Sequence, residues 1–146
     1  MRPKSKTIAT WLAFLGGSFG LHRFYLHGLR DWAGWLHPWP TLVGLYGVRR
    51  MLEFGQDDRL SWVLVPILGL MLAGTMLTAI VYGLMPDEKW NARFNPHRRP
   101  SSSGWGAVIG VIGALMVGAV VLIATIAYSG QRYFETQVEE ARKLSQ

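Results

Sequence analysis

The chain has 146 residues, half of them hydrophobic and only 16% charged, with a formal net charge of +6. That length allows one small domain, and a charged fraction below the roughly 25% of soluble proteins points to lipid as the solvent for much of the surface. The absence of cysteine excludes disulfides and thiolate metal sites, and Lys and Arg residues that flank apolar blocks instead of lining one polar face argue against nucleic acid and for topology signals and anionic-lipid contacts.

Residues 1–6 are basic and lead into an apolar run, as in a signal peptide. No small-x-small end follows, because Gly20 passes straight into His22, Arg23, Phe24 and Tyr25, so the run reads as a retained membrane segment. The apolar part, residues 7–21, is short; as a straight helix it covers about 22 Å. Either Lys6 and Arg23 extend their charges to the two interfaces, with Phe24 and Tyr25 in the aromatic belt, or the segment is tilted or re-entrant. Gly16 and Gly20 make a GxxxG pair with Gly17 beside it, which predicts close approach of a partner backbone.

In residues 31–54, Asp31 is placed to cap a helix that starts at Trp32. His37-Pro38-Trp39-Pro40 then interrupts it, because two prolines remove two amide donors and disfavour helix in the residues before them. The element is either kinked, or an interfacial half-helix carrying Trp32, Trp35 and Trp39 followed by a membrane segment over 41–48. Arg49 and Arg50 end the apolar run, and 53–59 reads as a polar link containing Gly55, Asp57 and Asp58.

Residues 62–82 and 105–128 carry no charge and are each long enough for the roughly 30 Å hydrocarbon core. Pro66 falls in the first turns of the former, where a missing amide costs least. Residues 85–104 form the longest polar stretch, with a short helix expected after Pro86 and turns at Asn95-Pro96 and 99–103. In the last block Gly106, Gly110, Ala114 and Gly118 recur every fourth residue, a thin small-residue face suited to a crossing helix. The tail, 131–146, places Phe134, Val138 and Ala141 on one face. It reads as a solvated extension of the fourth segment, or as a helix lying on the membrane or pairing with a partner.

Four segments put both ends of the chain on one side. With residues 2–6 inside, the inner set holds nine Lys and Arg residues and the outer set six, which favours cytoplasmic ends, although 89–99 opposes it.

Among single residues Arg23 stands out, because an arginine beside lipid needs a partner or an exit. The choices are an interfacial anchor, a lipid phosphate, a helix carboxyl end or Asp31. His22, His27, His37 and His97 do not show metal-ligand spacing, and Asp57-Asp58 reads as a solvated link.

Residues from about 4 to 54 resemble the TM-2 domain family, a two-helix membrane hairpin. The resemblance rests on Lys4-Ser5-Lys6, on Phe14-Leu15-Gly16-Gly17, on Gly20-Leu21-His22-Arg23-Phe24-Tyr25-Leu26 and, more weakly, on Gly44-Leu45-Tyr46-Gly47. It implies two helices joined by a short polar turn. The chain departs from the family pattern at His27, where a glycine is usual, and at 49–53, where only Glu53 stands near the usual aspartate.

The sequence therefore predicts an all-α, multi-pass integral membrane protein with about four transmembrane or membrane-embedded helices and a short C-terminal amphipathic helix. It divides into a TM-2-like hairpin (1–60), a second hairpin (61–130) and a polar tail (131–146). Gly16, Gly17, Gly20, His22, Arg23, Phe24 and Tyr25 form the motif and interface anchor. Gly106, Gly110, Ala114 and Gly118 form the packing stripe. No catalytic residue, metal or cofactor is predicted. Membrane lipid is the expected contact, with a second copy or another membrane protein as partner, in a bacterial inner membrane. The function predicted is that of a structural or interaction protein, acting through helix packing and membrane contacts, with no biochemical activity assigned; a small transporter or channel subunit is the alternative.

Overall fold

The structure, a computed structural model, describes residues 3–145, and within them every regular element is helical. In chain order these are α1 (Lys6–Gly16), a 3₁₀ turn (Gly17–Phe19), α2 (Leu21–His27), α3 (Trp32–Leu36), α4 (Pro38–Phe54), α5 (Arg59–Leu84), α6 (Asp87–Phe94) and α7 (Trp105–Leu144). Two of them, α5 and α7, are long and apolar enough to cross a membrane. Their outward residues, such as Leu70, Leu77, Ile112 and Ile123, are more than half exposed. A soluble monomer rarely shows a continuous apolar face of that extent. This is a membrane protein.

The antiparallel pair α5 and α7 forms the spine. Small residues let the helices close: Ala79 on α5, Ala114 on α7 and Ala13 on α1 are all fully buried in one cluster with Met76. The Gly106 stripe serves this packing. A methyl at Gly106 would lie 3.1 Å from Thr7, one at Gly110 3.0 Å from Thr10, and one at Gly118 2.8 Å from Met76. The crossing partner of the stripe is therefore this chain's own α1 and α5. Gly44 and Gly47 do the same for α4, where a Cβ would run into Leu68 and Leu64 of α5.

The first apolar block does not continue as one helix. Helix α1 enters beside α5 and stops at the 3₁₀ turn, and α2 runs back alongside it. Tyr25 Oη accepts from the Ser5 amide at 2.8 Å, and Lys4 Nζ donates to the Leu26 carbonyl, so α2 ends where α1 began. The block therefore doubles back on itself after Gly20. Asp31 caps α3 through the Ala33 amide, as expected. His37 keeps right-handed helical angles between α3 and α4, and Pro38 occupies the first turn of α4, where its missing amide has no helical partner to lose. The helix thus starts before Thr41 and passes Arg49 and Arg50 to reach Phe54.

The helices follow one another through the bundle in this order. The α1–α2 pair goes in and returns, α3 and α4 run the length of the bundle, α5 returns and α7 runs out again. Lys4 and Lys6 therefore lie beside Met85 and Asn95, whereas Glu139 of α7 lies by Arg59 at the opposite end. The tail forms the last turns of α7, 40 residues and about 60 Å long, the continuation of the fourth segment that the sequence suggested.

Candidate functional site

The motif residues converge on the turn between α1 and α2. Gly20 closes the 3₁₀ turn with φ 77°, the left-handed region, and donates its amide to the Gly17 carbonyl at 2.9 Å. A side chain there would be strained and would also strike the Gly34 carbonyl of α3. The GxxxG pair consequently does not share one helical face. Gly16 abuts Leu21, Gly17 packs on Thr75 of α5, and Gly20 packs on the α3 backbone. The reversal of the chain at Gly20 is the reason. The Ser18 carbonyl exposed by this break accepts from the Thr41 hydroxyl of α4 at 2.8 Å, which meets the demand that a buried backbone group be paired.

Beyond the turn, His22 is almost fully buried between His37 and Tyr82, with ring centroids 5.3 and 5.9 Å away. Its Nδ1 has no hydrogen-bond partner among the described residues. Arg23 makes a two-pronged pair with Asp31, Nε to Oδ2 at 2.7 Å and Nη2 to Oδ1 at 3.3 Å. The pair ties α2 to the start of α3, and the Arg23 hydrogen bond holds the Asp31 carboxyl, in its loop, below the usual range. Phe24 packs on Gly34 and on Trp35, whose ring lies 5.2 Å away. Of the partners open to Arg23, Asp31 is engaged.

A second cluster, absent from the sequence reading, holds the motif from below. Lys6 is buried; its Nζ donates to the Met85 carbonyl at the end of α5 (2.6 Å) and pairs with Asp87 at the start of α6 (2.7 Å). Lys6 and the Ser103 hydroxyl and amide draw the Asp87 carboxyl down to about 2. Trp90, fully buried among Ala9, Leu26, Tyr82 and Phe94, donates its indole N–H to the Lys4 carbonyl at 2.9 Å. Asn95 closes the clasp, accepting from the Lys4 amide and donating to its carbonyl. The signal for this cluster lay in Trp90 and in Asp87 after Pro86, within a stretch whose polarity read as solvated.

At the other end Arg50 makes a bidentate pair with Asp58, both contacts 2.9 Å, joining α4 to the cap of α5. That hydrogen bonding lowers the Asp58 carboxyl. His27 stacks near Phe94, and among the described residues no three His, Asp or Glu side chains gather as a metal site would require.

Residues 2–48 match the TM2 domain family, which covers the whole of the turn, both helices of its hairpin, α3 and most of α4. No curated protein and no solved structure matches the chain.

Proposed function

We propose, for a chain whose residues 2–48 are a TM2 domain, a multi-pass and non-enzymatic role in the bacterial inner membrane: a packed helical platform that acts through contacts with lipid and with other membrane proteins. The observation that carries this reading is how the motif's polar groups are used. Arg23 is joined to Asp31, Lys6 to Asp87, and Thr41 to the Ser18 backbone. Groups held so firmly by one another shape the bundle and leave the outward apolar faces to meet a partner.

The course of the chain supports a reading with three crossings: α3 with α4, then α5, then α7. Residues 4–31 and 87–99 share one end and carry eight Lys and Arg residues; 49–59 and 132–143 share the other and carry six. The larger set marks the cytoplasmic side, which puts Lys4 and α6 inside and the α7 tail outside. The grouping also removes the conflict posed by 89–99, since these residues lie on the same side as Lys4.

The chain has no cysteine, so single labels report topology directly. Ser102→Cys and Gln137→Cys variants are treated in intact cells with a membrane-impermeant thiol reagent. Labelling of Gln137→Cys alone is expected; labelling of both, or of neither, would discard the three-crossing arrangement.

The unpartnered Nδ1 of buried His22, beside His37 and Tyr82, supports a second reading as a small transporter. Solute or ion flux in proteoliposomes that disappears in His22→Ala would favour it over the platform.

A further inference from the structure

A cleft of about 440 Å³ lies between α5 and α7 at the end remote from Lys6, within the size range of small-molecule sites. Its walls are apolar: Val65, Leu68 and Leu72 from α5, Val121 and Ala124 from α7, and Met51 from α4. The hydroxyls of Thr125 and Tyr128 on the wall are turned to the Val121 carbonyl and the Met51 sulfur, and the amide and cationic groups, Gln56, Gln131 and Arg132, gather at one end. From Val121 to Arg132 the wall of α7 rises about 16 Å.

Arg132 is the unusual member. It is 7% exposed, and its guanidinium sits between Trp62 and Tyr128, 5.2 and 5.4 Å from their ring centroids. One nitrogen, Nη1, donates to Glu135 Oε2 at 2.6 Å. Its Nε is buried without a hydrogen-bond partner among the described residues. A buried charged donor left unpaired is costly, and such groups are ordinarily satisfied by a protein group, water or ligand. Glu135 is partly exposed and also accepts from Gln131 at 2.9 Å, so it leaves that donor unmet.

We propose that this cleft seats one acyl chain of an anionic membrane phospholipid, with the headgroup phosphate against Arg132 and the two glutamine amides. An apolar channel with its cationic and amide groups confined to one end, at the level where an uncharged helix face gives way to a polar one, matches an amphiphile and not a fully polar ion. Anionic headgroups are attracted to basic sites at membrane boundaries. The inference needs the membrane reading but not the orientation, which the cysteine labels decide separately.

The test uses the full chain in mild detergent and follows its thermal midpoint on adding phosphatidylglycerol, phosphatidylcholine or inorganic phosphate. Phosphatidylglycerol is expected to raise the midpoint by about 3 °C or more, as a ligand that binds only the folded state must, while the other two leave it unchanged. Arg132→Gln should abolish the rise. Ala124→Phe, which fills the cleft from an exposed backbone position, should abolish it with little effect on the lipid-free midpoint. Arg59→Gln, an exposed cation at the same end, should retain it. Equal responses to both lipids, a full response to phosphate alone, or a rise that survives Ala124→Phe would each overturn the proposal. Should Arg132→Gln fail to fold, Ala124→Phe decides alone.

Discussion

At the Lys6 end of the bundle an indole is sealed from solvent, a lysine is buried on a carboxylate, and an asparagine is locked to the Lys4 backbone. At the Arg132 end the helices part around a cleft, and the long helix runs on past its neighbours. The residues differ less in kind than in how they are held. Each end has an aromatic, an arginine or lysine and an acid, but only the first end has a helix, α6, laid across it. A lid of eight residues turns a set of interfacial side chains into a packed interior.

The contrast is sharpest at the two tryptophans. Replacing Trp90 by alanine empties a closed site and should cost about 3–5 kcal/mol, read as a large fall in thermal midpoint in mild detergent. Trp62, partly exposed over Arg132, should cost roughly 1 kcal/mol when changed to alanine. Equal losses would mean that the Lys6 end is no better packed than the other. Midway between the ends, Gly20→Ala places a side chain at positive φ against the Gly34 carbonyl. Backbone strain alone is worth about 1–3 kcal/mol there, and a variant as stable as the parent would disprove the reversal of the chain at that point.

Acid should loosen the Lys6 end. The Asp87 carboxyl is held at about 2 in the fold against an ordinary 3.8, so its contribution is complete above about pH 4 and fades as pH falls towards 2. Midpoints measured from pH 5 to 2 should decline less steeply in Asp87→Asn than in the parent. The smallest effect belongs to the open end: Arg49, 77% exposed and paired with Glu53 one turn away, should be replaceable by glutamine without a measurable shift. A clear shift there would give that surface pair a weight that its exposure denies.

The long uncharged blocks were legible because hydropathy over twenty residues reports the solvent directly, and α5 and α7 appear where they were expected. Asp31 as a cap and the helix after Pro86 were legible because capping chemistry is local. The Gly110 stripe announced a crossing helix, but spacing along one helix does not say which neighbour arrives, and it proved to be α1 and, at Gly118, α5. The turnaround at Gly20 stayed one of several readings of a short apolar run because hydropathy is blind to the sign of φ; a glycine there looks the same whether the helix passes through or ends. The reversal leaves Lys4 within reach of Asn95, at the same end of the bundle. Trp90 was hidden for a related reason: its neighbours in sequence are polar, and what covers it comes from Ala9, Leu26 and Tyr82, far away in the chain. The Arg132 cleft draws on three helices and has no local signature.

Helix α7 continues without interruption from the packed stripe to its last turn. Its rotational setting is fixed where Ala107, Gly110 and Ala114 engage their neighbours, and a rigid helix transmits that angle along its whole axis. The compass bearing of Phe134 and Val138 is thus dictated from deep inside the bundle. Adding one residue near Gly130 would swing that bearing by about 100°, as a turned key moves its bit, leaving everything before the insertion in place.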